Sequence, residues 1–206
     1  MNSEVTEFKV QKQTHEAVIF DLDGVITDTA SVHARAWKHM FDDFLSSYAV
    51  RTGEEQPPFD KDDDYLRYVD GRPRYEGVST FLESRGIDIP YGSPEDPAGS
   101  ETICGLGNRK NDLFLEFLEN DGVKTYASSI KLIKQLAEAN LKTAVVTSSR
   151  NGRRILEQAE IKDYFDVQVD GNDVGALSLK GKPAPDIFLE AAKRLEVRPR
   201  RAVLVE

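Results

Sequence analysis

Residues 17–29 read Ala-Val-Ile-Phe-Asp-Leu-Asp-Gly-Val-Ile-Thr-Asp-Thr, and the rest of the chain is organised around this stretch. The apolar run at 17–20 is long enough for a buried strand, and it ends abruptly in Asp21 and Asp23. Charge at the end of a buried strand is costly unless a partner neutralises it. Hard carboxylate oxygens suit Mg²⁺, and Gly24 would let the backbone turn sharply beside the ion. A turn with solvated acids is the alternative interpretation of these residues alone.

The composition predicts one α/β domain, or one domain with an inserted lobe, in 206 residues. Acids outnumber bases by 36 to 27, which argues against nucleic acid as a partner because binding it requires a basic surface. An anionic small molecule is compatible with this charge, since a basic pocket can lie on an acidic protein. The sequence is compatible with a monomer and does not fix an oligomeric state.

The compartment is predicted from the cysteine count and the apolar content. Cys104 is the one cysteine, which excludes an internal disulfide and is typical of a cytoplasmic protein. No apolar stretch approaches the roughly 18 residues of a membrane span, so we expect no membrane partner. The polar residues 1–16 lack the apolar core of a signal peptide, and we expect a flexible leader there.

The hydrophobic pattern changes its period along the chain. Helical spacing before residue 126 covers 31–48, 61–69, 73–84 and 108–119. After it, strands at 141–147, 165–169 and 201–205 alternate with helices at 129–139, 152–159 and 186–195. Such alternation implies parallel strands joined by right-handed crossovers. We therefore predict an α/β fold with a doubly wound, Rossmann-like parallel sheet from 17–29 and 126–206, and an inserted helical cap at 30–125.

Ligands of open α/β sheets bind beyond the carboxyl ends of the strands, and polar residues follow three of the predicted strands. Asp21 and Asp23 follow the first strand, and Glu206 ends the last. The second runs into a hydroxyl cluster of Thr147, Ser148 and Ser149 that opens a helix. Hydroxyls and backbone N–H groups at a helix N-terminus bind phosphate well.

Lys182 completes this group, because it lies between rigid residues immediately before a helix. Two acids, hydroxyls, a fixed lysine and a further acid describe a metal-assisted phosphoryl-transfer site. Asp21 would attack phosphorus and form an aspartyl phosphate, and Asp23 would be the general acid/base. Mg²⁺ and Lys182 would neutralise the transferring group. The predicted metal ligands are Asp21, Asp23 (through its backbone) and Glu206.

These residues resemble the four motifs of the haloacid dehalogenase-like phosphotransferase superfamily. Its motifs are an Asp-x-Asp strand end, a Thr/Ser strand end, a Lys before a helix and an acidic strand end. The match, in order, is Asp21 with Asp23, Thr147, Lys182 and Glu206, and it extends from residue 17 onward.

Within the superfamily the chain resembles the β-phosphoglucomutase family, in the stretches 23–37, 109–112, 149–152 and 182–188. This resemblance implies a cap that closes over a sugar phosphate and the interconversion of β-glucose 1-phosphate and glucose 6-phosphate through a bisphosphate. It also implies site residues: Thr29 and His33 at the cap hinge, Arg74 on the distal phosphate, Lys110 and Asn111 on the substrate, and Asn151 with Thr147 on the transferring phosphate.

Two other functions stay open: a sugar-phosphate phosphatase of the same fold, and a catalytically silent module that binds a ligand or partner. The acid Asp70 and the extra arginine Arg72 depart from the mutase pattern. In the family, the position of Glu206 continues into a second acid and a further turn, helix and strand. We therefore expect this sequence to be a piece of a longer protein, with weak Mg²⁺ affinity. The Asp-Gly-Asn-Asp run at 170–173 predicts a turn.

Overall fold

The computed structural model describes residues 14–206, and a four-stranded sheet forms its centre. All pairs are parallel, in the order β3-β2-β1-β4. The strands are β1 (Ala17–Asp21), β2 (Lys142–Val146), β3 (Val167–Val169) and β4 (Ala202–Val205). The register pairs Asp21 with Val146 and Phe20 with Val205, so the carboxyl ends of the strands meet at one edge.

Both faces of β1 are buried, which explains its unbroken apolar run. Val18 and Phe20 belong to the larger core, to which the helices α4 (Ala127–Glu138) and α5 (Gly152–Gln158) contribute. Ala17 and Ile19 point to the other face, against α7 (Asp186–Arg194). Successive side chains of a strand alternate between its faces, so one short strand serves two helical layers. The predicted α/β fold with a parallel sheet is confirmed.

A group of helices lies between β1 and α4, and we call it the cap; the sheet with the helices that follow the cap in the sequence is the core. The cap contains α1 (Thr29–Thr52), a π-helix (Tyr65–Val69), α2 (Arg74–Ser84) and α3 (Ile103–Asp121). Val32, Ala36, Met40 and Phe44 recur four residues apart on α1 and are buried, so one face of this helix packs in the cap.

Two neighbouring segments connect cap and core. Thr27 forms an antiparallel bridge with Thr125. Asp28 donates its backbone N–H to the carbonyl of Lys124 at 2.9 Å, and Tyr126 donates to the carbonyl of Ile26 at 2.9 Å. The chain therefore enters and leaves the cap through one hydrogen-bonded pair of segments, which we call the clasp (26–28 and 124–126).

Several predicted elements differ from those observed. The Asp-Gly-Asn-Asp run is not a turn but the start of a short helix, α6 (Gly171–Ala176). The Asp170 carboxylate accepts from the backbone of Asn172 and Asp173, and the Asp173 carboxylate accepts from the Asp170 N–H. This reciprocal capping box overrides the turn preference of the sequence. Where a helix is predicted at 61–69, the structure has the shorter π-helix (Tyr65–Val69).

The predicted leader lies mostly outside the described residues. Its last residue, Glu16, donates its backbone N–H to Arg201 at 2.8 Å and accepts from Lys142 at 3.1 Å, so it continues the pairing of the sheet. None of the helices described between residues 14 and 206 has the length and apolar character that spanning a bilayer requires.

Candidate active site

Asp21, the last residue of β1, is paired with Lys182. The Nζ atom of Lys182 lies 3.1 Å from Asp21 Oδ2 and 2.9 Å from Glu206 Oε1, so one ammonium joins the ends of β1 and β4. Burial raises the pKa of Asp21 to about 7, although Lys182 opposes the rise. Burial lowers the pKa of Lys182, but the charges of its two carboxylate partners outweigh burial and raise it. Ionised Asp21 therefore needs positive charge beside it.

Asp23 lies in a different environment, among hydrogen-bond donors. Thr147 Oγ1 donates to Asp23 Oδ2 at 2.6 Å, and Thr29 Oγ1 donates to Asp23 Oδ1. His33 Nε2 faces the same Oδ1 at 3.6 Å. Burial would raise the pKa of Asp23, but His33 and the two hydroxyls hold it well below its usual range. Asp23 is thus held as an ionised carboxylate by these donors.

The cap places a second basic group behind His33. Lys110 Nζ lies 2.6 Å from His33 Nδ1 and 4.7 Å from the centroid of the Trp37 ring, and its side chain is buried. The His33 ring stacks on Phe114 with centroids 4.0 Å apart. Burial, and then the charge of Arg74, lower the pKa of Lys110 to about 7. The aromatic rings fix both groups above Asp23.

The hydroxyl loop after β2 is held by its own side chains and by the cap. Ser149 donates its backbone N–H to Thr147 Oγ1 at 3.0 Å. Ser148 Oγ donates to the carbonyl of Gly71 at 2.6 Å, and Asn151 Nδ2 donates to Asn111 Oδ1 at 2.9 Å. The last two bonds cross from core to cap, so predicted substrate-binding residues here fasten the cap over the core.

A cavity of about 190 Å³ lies between cap and core. Predicted residues on its wall are Asp21, Asp23, His33, Arg74, Lys110, Asn111, Thr147, Ser148, Ser149 and Lys182. Predicted residues that contact these but do not line the cavity are Thr29, Asn151 and Glu206. Wall residues absent from the predicted site include Trp37, Tyr65, Asp70, Arg72 and Arg150. Arg150 could have been found, because it follows the hydroxyl cluster directly in the sequence.

The wall of this cavity is more basic than acidic. Its described cations are Lys110, Lys182, Arg72, Arg74 and Arg150, and its acids are Asp21, Asp23 and Asp70. The whole chain carries a formal net charge of −9. A basic cavity on an acidic protein selects anions locally, and this one suits a ligand with more than one negative charge.

The predicted metal ligands do not form a cluster of three carboxylates. Within residues 14–206, no group of three or more His, Cys, Asp or Glu side chains is arranged to hold a metal ion. The Asp23 carboxylate faces Thr29 and Thr147, whereas the carboxylates of Asp21 and Glu206 share Lys182. These two carboxylates and the Asp23 main-chain carbonyl are hard oxygen donors of the kind that Mg²⁺ prefers, and the burial of Asp21 favours a cation beside it.

The fold and these residues define a phosphoryl-transfer enzyme with a capped Rossmann-like core. A sequence profile of the haloacid dehalogenase-like hydrolases matches residues 15–206, and the chain belongs to this family. The predicted superfamily and enzyme class, a phosphotransferase or phosphatase, are thereby confirmed.

Similarity to individual proteins agrees with this assignment. The chain is 48% identical to the β-phosphoglucomutase of Mycobacterium tuberculosis (strain CDC 1551 / Oshkosh) over 190 residues, which cover 92% of this chain and 72% of that protein. It is 29% identical to the phosphorylated carbohydrates phosphatase of Thermotoga maritima, over 93% of this chain and 76% of that protein. The crystal structure of β-phosphoglucomutase from Clostridium difficile matches with a TM-score of 0.70 and 27% identity, over 93% of this chain and 76% of that chain.

Proposed function

We propose that this chain is a Mg²⁺-dependent phosphomutase that interconverts β-glucose 1-phosphate and glucose 6-phosphate through a bisphosphate and an aspartyl phosphate on Asp21. The observation that carries the proposal is a second centre of positive charge on the cavity wall. Lys182 lies beside Asp21, whereas Arg74 and Arg150 both lie over the ring of Tyr75, at 6.0 and 5.8 Å from its centroid. A substrate with two phosphates, one reacting and one distal, fits two such centres.

The positions of the two acids support their division of labour, since Asp21 lies beside Lys182 and Asp23 faces His33 of the cap. Asp21 Oδ attacks phosphorus as the bond between phosphorus and the sugar oxygen breaks, and Asp23 gives that oxygen the proton that it took from a sugar hydroxyl in the other half of the cycle. In the return step a sugar hydroxyl loses its proton to ionised Asp23 and attacks the phosphorus on Asp21. Mg²⁺, held by Asp21, Glu206 and the Asp23 carbonyl, would supply positive charge to the transferring group.

A mutase also requires that water does not reach the aspartyl phosphate. The bonds from Ser148 to Gly71 and from Asn151 to Asn111 hold the cap against the core around the hydroxyl loop. A cap held closed in this way supports transfer to a bound sugar hydroxyl over transfer to water.

A sugar-phosphate phosphatase is the second candidate, because the Thermotoga maritima relative carries that name. It would share the aspartyl phosphate and differ in the acceptor, which would be water. A catalytically silent module is set aside, since the chain belongs to an enzyme family and keeps Asp21, Asp23 and Lys182 together.

The deciding experiment supplies β-glucose 1-phosphate, Mg²⁺ and a trace of glucose 1,6-bisphosphate, and measures glucose 6-phosphate and free phosphate over the same time course. We expect glucose 6-phosphate to form faster than phosphate. Faster release of phosphate would identify the phosphatase instead. A parallel reaction with a chelator in place of Mg²⁺ tests the metal requirement.

A further inference from the structure

Tyr65 and Asp70 lie at the two ends of the π-helix of the cap and are joined by a backbone hydrogen bond. The backbone N–H of Asp70 donates to the Tyr65 carbonyl five positions earlier at 2.9 Å, which closes a π-turn. The Asp70 carboxylate is also close enough to the Tyr65 hydroxyl to raise the pKa of the phenol. Five residues advance an α-helix by about 1.4 turns, which would turn these two side chains to different faces. The π-turn, a rare element that is frequent at functional sites, therefore brings phenol and carboxylate together.

Both side chains lie on the cavity wall near the reacting carboxylates. They line the cavity together with Asp21 and Asp23, and Tyr65 is only 9% exposed. Burial raises the pKa of Tyr65, and the charges of Asp70, Asp23 and Asp21 raise it further. The phenol thus stays protonated and keeps its hydrogen-bond donor in the cavity.

The chemistry of this pair differs from that of the rest of the wall. Lys182, Arg74 and Arg150 suit phosphate, but a carboxylate repels phosphate. A carboxylate accepts hydrogen bonds from hydroxyls, and a phenol can donate one and accept another. The group that fits between Tyr65 and Asp70 is therefore uncharged and carries hydroxyls, as the ring of a sugar phosphate does.

We propose that Tyr65 and Asp70 form a hydroxyl-binding pair that determines which sugar the enzyme accepts. This inference rests on the proposed function, because it assigns the part of the substrate between the two phosphate-binding centres. A site built to hydrogen-bond a hydroxyl discriminates strongly against a substrate in which that hydroxyl is missing or misplaced, since the buried polar groups are then left unpaired.

The kinetic test compares Tyr65→Phe and Asp70→Asn with two control variants. Tyr68→Phe removes a hydroxyl from the same π-helix, where the ring packs edge-on against Phe81, and Asp63→Asn removes an exposed acid that pairs with Arg67. The substrates are β-glucose 1-phosphate, its galactose and mannose counterparts, and acetyl phosphate, which can phosphorylate Asp21 but has no sugar hydroxyl.

For Tyr65→Phe and Asp70→Asn, kcat/KM on β-glucose 1-phosphate should fall by about 10- to 100-fold, the range of a lost buried hydrogen bond. The preference among the three sugars should shrink, whereas hydrolysis of acetyl phosphate should change by less than about twofold, within the effect of a surface substitution. Tyr68→Phe and Asp63→Asn should leave all rates near those of the unsubstituted protein. An equal loss on sugar esters and acetyl phosphate would overturn the proposal, because the pair would then serve catalysis or folding.

A binding measurement separates this proposal from the proposed function. Calorimetric titration with glucose 6-phosphate and with inorganic phosphate needs no turnover. We expect Tyr65→Phe to lower the affinity for glucose 6-phosphate at least about fivefold and to leave the affinity for inorganic phosphate unchanged. Unchanged affinity for glucose 6-phosphate would overturn the hydroxyl-binding pair even if the mutase reaction is confirmed. If the unsubstituted chain shows no turnover but Tyr65→Phe selectively loses affinity for glucose 6-phosphate, the proposed function is contradicted and the hydroxyl-binding pair is supported.

Discussion

The Nζ atom of Lys110 lies 2.6 Å from His33 Nδ1, so two basic groups meet inside the cap above Asp23. Burial lowers the pKa of both groups, and each is further lowered by a neighbouring cation, Arg74 for Lys110 and Lys110 for His33. The simplest proton arrangement has the lysine donate to Nδ1 while His33 directs its Nε2–H toward Asp23. The cap thereby orients the imidazole that faces the general acid/base.

Lys110→Met should stabilise the fold near neutral pH while it impairs catalysis. A lysine whose pKa falls from 10.5 to about 7 on folding binds fewer protons in the folded state, so stability rises with pH between about 7 and 10.5. The substitution removes that dependence. The gain in melting temperature should therefore be several degrees at pH 7 and should shrink toward pH 10.

The measurement is thermal unfolding at both pH values, with Lys131→Met, on an exposed part of α4, as the control. A gain that is equal at pH 7 and pH 10 would show that the Lys110 ammonium carries no burial penalty.

Asp21→Asn should abolish the phosphoenzyme and leave the fold intact. An amide is a poor nucleophile, and a neutral group is easier to bury than a carboxylate. We expect turnover to fall by more than about 10³-fold, the scale seen when a catalytic nucleophile is removed. Incubation with radiolabelled glucose 1,6-bisphosphate, followed by denaturation, should label the unsubstituted chain only. Retained label in the variant would place the nucleophile elsewhere.

Lys182→Met should weaken phosphoryl transfer, because it leaves Asp21 and Glu206 without their shared cation. A transferring phosphoryl group would lose a fixed positive charge, for which we expect a fall in kcat of about 10²- to 10³-fold. Lys180→Met, two residues earlier and exposed, is the matched control. Similar effects of the two substitutions would exclude a specific role for the Lys182 ammonium.

The salt bridge between Arg154 and Glu119 crosses from α5 of the core to α3 of the cap, with 2.6 Å between Nη2 and Oε1. Glu119→Gln should favour opening of the cap and raise the ratio of phosphate released to glucose 6-phosphate formed. Exposed ion pairs contribute about 0.2–1 kcal/mol, so we expect a rise of up to about fivefold.

The control for this variant is Asp121→Asn, two residues away. It breaks a comparably exposed pair with Arg35 that lies within the cap and does not reach the core. High salt should bring the ratio of phosphate to glucose 6-phosphate of the unsubstituted chain closer to that of Glu119→Gln, because salt screens the ion pair. An equal effect of both substitutions would show that cap opening does not depend on the crossing contact.

The sheet and the reacting end of the site were predictable because they follow from local patterns. The unbroken apolar run at 17–20 requires burial on both faces, and acids at its end require a partner. Parallel strands bring their carboxyl ends to one edge, so Asp23 and Thr147, which follow β1 and β2, meet although 124 positions separate them. That inference needs only the alternation of strands and helices.

The cap side of the site was less predictable because it depends on packing between distant segments. No local pattern distinguishes a π-turn from an α-turn at 65–69, so the pairing of Tyr65 with Asp70 could not be inferred. The Asp-Gly-Asn-Asp run at 170–173 predicted a turn, but the capping box of Asp170 and Asp173 makes it the start of a helix. Such choices are decided by side-chain hydrogen bonds that form only in the folded chain.

The clasp has a consequence for how cap and core can be recombined. Because the segments at 26–28 and 124–126 are hydrogen-bonded to each other, the first and last residues of the cap lie side by side. A cap from another family member could be grafted here through two adjacent splice points, without rerouting any strand of the sheet. The two proteins would need to share only this short antiparallel pairing. The cap is therefore a module that can be exchanged on an unchanged catalytic core.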